Sequence, residues 1–299
     1  MVKRLISANT SEIMAMSREE LLQSIHASDG RVVLSENIVT RETIVAEVTN
    51  AEIAKSFGAD LILLNTLDVL EPKIFGLDLQ EKTVIERLHH LVGAPIGVNL
   101  EPIDLDAEMT EEALKIGNGR QANAEAFKRI ETDKYDFVCL TGNPATGVSN
   151  TQIISAIKLA KEHYSGIIIA GKMHSSGVNE PVVTLEDVEH FLAAGADIIL
   201  VPAVGTVPGF DEDQMKAIVK EVHAQGALVL SAMGTSQESS EPEMVRDIAI
   251  KNKICGVDMH HIGDSGYGGL APVENIFALS KAIRGQRHAV SRMARSINR

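Results

Sequence analysis

Phe57-Gly58-Ala59-Asp60-Leu61-Ile62-Leu63 returns later in the same chain as Ala194-Gly195-Ala196-Asp197-Ile198-Ile199-Leu200. In each, a glycine follows an amphipathic stretch and an aliphatic run begins soon after. Glycine just past a helix takes the left-handed conformation that closes it, and an unbroken aliphatic run suits a strand buried on both faces. The joint reads as the passage from a helix into a parallel strand.

Working outward, the same unit of apolar run, polar loop and amphipathic helix recurs along the chain. The runs cover 32–39, 61–67, 96–101, 137–143, 167–174, 198–204, 228–234 and 254–261. Their spacing of roughly 30 residues, longer around the third unit, is the period of a βα repeat. Helix patterns lie between them: Thr184 with Asp187 three positions on starts one with a hydroxyl cap, and the stretch 150–160 is another. Eight units predict an α/β fold, a (β/α)8 TIM barrel. An open doubly wound sheet is the alternative, but no G-x-G-x-x-G fingerprint follows the first run. Residues 1–30, where Ser17 and Glu20 have capping-box spacing, are expected to form a short N-terminal helical extension at the bottom of the barrel. The barrel would span 31–285, leaving 286–299 as a basic tail that docks on a partner subunit of a homo-oligomer.

Composition bounds the function. The chain has 299 residues, 44% hydrophobic and 23% charged, with 3% aromatic and no Trp, so its core is aliphatic. A net charge of −13 argues against nucleic acid or an anionic membrane as partner, although a local pocket can still hold an acidic substrate. No apolar run reaches the roughly 18 residues of a membrane span, and Lys3-Arg4 precedes no signal-peptide core, so a cytoplasmic location is expected. Cys139 and Cys255, both in strand-like runs, read as small buried hydrophobes.

A (β/α)8 barrel places its reactive groups at the C-terminal strand ends. Alternation, with large apolar residues assigned to the helix side, sends Ser35, Asn65, Asn99, Glu101, Thr141, Asn143, Lys172, His174, Ser231, Asp258 and His260 into the lumen, and His261 away from it. A barrel built only for packing would fill such positions with Val, Ile and Leu. Lys172 then has three readings: an ion pair with Glu101 or Asp258, a clamp on a substrate anion, or a desolvated amine nucleophile. His174 and His260 are candidates for acid/base work, metal ligation or packing. Without an H-E-x-x-H helix a zinc site has little support, but Glu101, His174, Asp258 and His260 are candidates to hold Mg2+. His89-His90 and His190 read as surface or interface histidines. The acidic stretch 101–119 reads either as a lid or as a solvated turn and helix.

After the last run come Gly263-Asp264-Ser265-Gly266-Tyr267-Gly268-Gly269 and then a helix beginning near Pro272. Glycines there would let backbone N–H groups converge on a phosphate at a helix N-terminus, with Gly234 and Thr235 helping from the preceding loop. The competing reading is a mobile Gly/Ser loop without a ligand.

Two stretches resemble a known family. Pro95-Ile96-Gly97-Val98-Asn99 and Asp136-Phe137-Val138-Cys139-Leu140-Thr141-Gly142-Asn143-Pro144-Ala145-Thr146-Gly147 are similar to the third and fourth strands of BtpA-like (β/α)8 proteins. That resemblance implies a barrel related to phosphate-binding ones and carries no ligand over. The expected function is an enzyme acting on a small phosphorylated metabolite, as a sugar-phosphate isomerase, epimerase or aldolase-type lyase. Lys172, His260 and Glu101 would do the chemistry. The alternatives are Mg2+-dependent hydrolysis or lysis of a phosphonate or carboxylate, and a barrel that binds a metabolite without turning it over.

Overall fold

The computed structural model describes residues 2–78 and 82–299. A 3-10 turn (Leu5–Ser7) and two helices, α1 (Thr10–Met14) and α2 (Arg18–His26), lead into β1 (Val32–Ile38). Helix and strand then alternate through α3 (Asn50–Ser56), β2 (Leu61–Asn65), α4 (Val84–Val92), β3 (Ile96–Asn99), α5 (Ala124–Asp133) and β4 (Phe137–Leu140). The second half repeats the pattern with α6 (Asn150–His163), β5 (Ile167–Gly171), α7 (Leu185–Ala194), β6 (Ile198–Pro202) and α8 (Glu212–Ala224), then β7 (Leu228–Met233), α9 (Pro242–Cys255), β8 (Met259–Ile262) and α10 (Val273–Ala294). Every neighbouring pair is parallel, and β1 closes on β8. The fold is the (β/α)8 barrel.

The chain enters every even-numbered strand through the same device. Two residues before an aspartate the backbone turns left-handed, at Gly58, Lys134, Gly195 and Gly256. The aspartates Asp60, Asp136, Asp197 and Asp258 then donate their N–H to the carbonyls of Val33, Ile96, Ile168 and Val229 on the preceding odd strand. Each carboxylate accepts back from the N–H of that same residue, at 2.9, 2.7, 2.9 and 2.9 Å. A basic or imidazole side chain sits on each: Arg284 and Arg292 on Asp60, His89 on Asp136, Arg18 on Asp197, His26 and His223 on Asp258. The repeated Gly-Ala-Asp of the sequence is thus a register lock at the N-terminal end of the barrel.

One boundary differs from expectation. Ile254 and Cys255 are the last turn of α9, closed by Gly256 at φ 95°, and the eighth strand begins only at Met259. The aliphatic run there belongs to a helix that packs on α10, so Cys255 is a buried helix residue. Capping boxes form at Ser17/Glu20 and Thr184/Asp187, and α6 is capped by Ser149.

Two apolar layers surround the strands. The outer one joins helices to Val33, Ile62, Leu64, Val98, Val138, Ile168, Ile199, Val229 and Ile262. The inner one fills the lumen with Leu34, Leu63, Phe137, Ile169, Leu200, Leu230 and Met259, and continues below into Leu5, Ile13, Leu21 and Ile25 of the N-terminal segment. Arg292 ties that segment on, donating to the carbonyls of Leu5 and Ala8. Among the described residues no helix is long and apolar enough to cross a membrane.

Candidate functional site at the C-terminal mouth

Above the apolar lumen the strand ends turn polar. A cavity of about 130 Å3 opens there, lined among others by Glu36, Asn65, Thr141, Asn143, Met173, His174, Glu238 and Asp264. A mesh of amides and acids frames it. Asn65 Nδ2 donates to Asn143 Oδ1 (2.8 Å) and to Asp264 Oδ2 (2.9 Å), while its Oδ1 accepts from Asn99 and Asn143. Glu101 takes the backbone and side-chain N–H of Asn143 (2.8 and 2.9 Å) and the guanidinium of Arg120 (2.8 Å). His261 Nε2 meets Glu36 Oε2 at 2.7 Å.

Several buried atoms around this cavity have no partner: Thr141 Oγ1, Asn99 Oδ1, Glu238 Oε2 and His261 Nδ1. Buried polar atoms are rarely left so, and a bound molecule would satisfy them. The acids are held close to neutrality. Burial, then the charges of Glu238 and Glu101, pushes Glu36 up to about 8. Burial, then Glu36, raises Asp264 to about 7, and burial also raises Glu238. Burial lowers His261 to about 4, so burial disfavours the charged form of both partners in the Glu36–His261 contact. Burial and the nearby Lys172 charge take His174 down to about 4.

Of the residues expected here, Asn65, Thr141, Asn143, His174, Gly234, Gly263, Asp264 and Ser265 line the cavity, and Glu101 and Asn99 join it through their hydrogen bonds. Five others point elsewhere. Lys172 faces the helix layer, its Nζ 2.5 Å from Glu180 Oε1, and pairs with neither Glu101 nor Asp258. Asp258 is the register lock at the opposite end of the barrel. His260 also faces outward, on the Gly30 carbonyl, and burial drives its imidazole down to about 3. Ser231 and Ser35 lie on the outer face beside Val229 and Val33, whereas Glu36 and His261 are the inward ones. Because Asp258 and His260 lie away from Glu101 and His174, the four do not gather around an ion. Among the described residues no three His, Cys, Asp or Glu side chains form a metal cage.

The glycine loop is packed by its own chain. A Cβ on Gly266 would fall 2.0 Å from the Leu270 carbonyl oxygen; Gly268 abuts the Glu42 carbonyl and Gly269 abuts Ile38. Thr235 Oγ1 is taken up by the Thr206 carbonyl. The Ser265 N–H, which a phosphate would need, already points at Glu238 Oε1. The acidic stretch after β3 forms no long helix; it is strapped over the next two loops through Asp104 N to Gly147 O, Leu114 N to Ala145 O and Thr110 N to Gly177 O.

Sequence reasoning missed Glu36, Glu238, His261 and Arg120. Glu36 had a signal, a lone acid within the apolar run Val32–Ile38. Glu238, in a polar loop, had none.

Comparison with other proteins agrees with the barrel. Among solved structures the chain is similar to a protein of Burkholderia cenocepacia J2315 provisionally described as a lyase/mutase, at 16% identity and TM-score 0.51, covering 89% of this chain and 83% of that one. It is also similar to 2,3-dimethylmalate lyase, a PEP mutase/isocitrate lyase superfamily member, at 12% identity and TM-score 0.50, covering 93% and 88%. At such identities the likeness speaks for the fold. No curated protein matches the chain. The likeness to BtpA-like proteins stays confined to the two strand stretches that carry it. A family model described as Domain of unknown function (DUF7916) matches residues 6–299, and with nearly its whole length aligned the chain belongs to that family.

Proposed function

We propose that the chain is a lyase-type enzyme that breaks a carbon–carbon bond in a small carboxylate or phosphonate at the barrel mouth. The observation that carries this reading is the pair Glu36 and Asp264, two acids held at about 8 and about 7 around a cavity whose Thr141 and Asn99 oxygens lack partners. An acid tuned near the working pH can both take and return a proton, which contributes about 10²–10⁴-fold. Asp264, oriented by Asn65, takes the proton of a substrate hydroxyl. The hydroxyl oxygen becomes a carbonyl as the adjacent carbon–carbon bond breaks, its electron pair passes to the carbon next to the acid group, and Asp264 returns the proton there. Asn65, Asn143 and Thr141 bind substrate oxygens.

The names of the similar structures, a lyase/mutase and a dimethylmalate lyase, favour this class over a sugar-phosphate isomerase. So does the acidic mouth, where Arg120 is already engaged by Glu101. Among the described residues no three acidic or imidazole side chains gather as a magnesium site, so Mg2+ is a condition to vary in the assay and no step is assigned to it.

The test is turnover of a panel of small carboxylates and phosphonates that carry a hydroxyl on the second carbon from the acid group, with and without Mg2+, read as carbonyl product. Asp264→Asn is expected to lower kcat by at least about 100-fold while ligand-induced thermal stabilisation persists. Stabilisation without turnover across the panel would overturn the lyase reading in favour of a binding protein.

A further inference from the structure

We propose that His174 serves the mouth as a fixed hydrogen-bond donor, offering Nε2–H to the substrate oxygen that gains negative charge, and that Lys172 is the positioning residue that holds it in that state. The geometry begins with the backbone. The Ser176 N–H donates to His174 Nδ1 at 3.0 Å. A ring nitrogen that accepts carries no proton, so the proton of the neutral ring sits on Nε2. Ser176 lies in the left-handed region, at φ 54°, which folds its N–H back onto the ring two residues earlier. Its own side chain is wedged against Gly142, where a Cβ would come within 2.5 Å of Ser176 Oγ. His174 lines the cavity, and among the described residues its Nε2 has no hydrogen-bond partner.

Lys172 lies on the other side of the same wall. Its ammonium is fully buried on Glu180, and that Glu180 oxygen also accepts from the first N–H of α6 at 2.8 Å. The clamp fixes both ends of the loop that carries His174 and Ser176; burial is the main cause that keeps the imidazole neutral, and the Lys172 charge adds to it. A neutral imidazole donor polarises an oxyanion without surrendering its proton, a role known from other barrel enzymes. In the step above, that oxyanion is the enolate oxygen left when the carbon–carbon bond breaks.

The inference rests on the catalytic reading of the mouth, but its first test does not. In ¹⁵N NMR of imidazole nitrogens, with His174→Gln used for assignment, the His174 ring is expected to stay in the Nε2–H form and not titrate from pH 5.5 to 8.5. Lys172→Met is expected to move the titration up from about 4 only part of the way to the ordinary 6.5, because burial remains, and Lys172→Arg to leave it where it was. An Nδ1–H ring, or a wild-type titration near 6.5, overturns the donor role. A Lys172→Met ring whose titration midpoint, followed down to the acid limit of the fold, does not rise, or a Lys172→Arg ring whose midpoint does, overturns the role of Lys172. Should Lys172→Met fail to fold, Lys172→Gln tests the same charge. In the kinetic arm His174→Ala lowers kcat by about 10²–10³-fold with KM little changed, and His174→Gln, which keeps a donor, loses less. Equal loss in the two variants overturns the donor role as well. Absence of turnover from a wild-type protein whose ring is in the Nε2–H form sinks the lyase reading alone.

Discussion

Glu36 and Asp264 tie the stability of the protein to the protonation of its mouth. Both have folded-state values raised above the ordinary 4.5 and 3.8, to about 8 and about 7. An acid whose value rises on folding binds its proton more tightly in the folded state. That contribution is full below about 4 and is lost as pH climbs to about 8. Denaturation curves at a series of pH values should therefore show stability falling across that window, and Glu36→Gln or Asp264→Asn should flatten the fall. Lys172→Met belongs at this scale too. It leaves Glu180 beside one lost donor, and since Glu180 keeps the α6 N–H and is a quarter exposed, a loss of about 1–3 kcal/mol is expected in chemical denaturation. A change within error would mean that the ion pair contributes nothing to folding.

The strand entrances and the last loop are the elements on which sequence and structure part company. Asp258 looked like a mouth residue and is a lock on Val229, so Asp258→Ala should cost about 1–3 kcal/mol by orphaning a buried N–H, yet leave ligand affinity at the mouth unchanged. Gly268, at φ 70° and against the Glu42 carbonyl, should not accept a side chain; Gly268→Val is expected to destabilise the fold before it affects any ligand, as a lowered melting temperature would show. The repeat, the strand count and the caps were legible because helix ends and aliphatic runs are local signals. The facing of side chains was legible only in part. Lumen and helix side are both apolar here, with Ile169 inside and Ile168 outside, so large residues do not mark a face. Asn65, Asn99 and Thr141 were placed correctly because a polar residue ends an otherwise apolar strand. In the fifth and eighth runs alternation sends the large residues Ile169, Met173 and Met259 outward and carries Lys172 and His260 inward with the wrong phase; Ser35 and Ser231, also assigned inward, face out. Glu238 could not be read at all, since it reaches the mouth only through the folding of a polar loop.

At the scale of the molecule the two ends of the barrel divide the work. The C-terminal end opens into a cavity lined by acids and amides; the N-terminal end is closed by α2 and by Arg292, which binds Asp60 and the carbonyls of the first turn together. Among the described residues the locks at that end recur only between β1 and β2, β3 and β4, β5 and β6, and β7 and β8. In mechanical terms the wall is four double staves, each pinned at its foot by a carboxylate, with an unpinned seam between one stave and the next. When the barrel breathes, it should part along the seams. In amide hydrogen exchange the N–H groups of Val33, Ile96, Ile168 and Val229 should be the slowest at the barrel foot, and releasing one stave by Asp258→Ala should quicken Val229 while the other three hold.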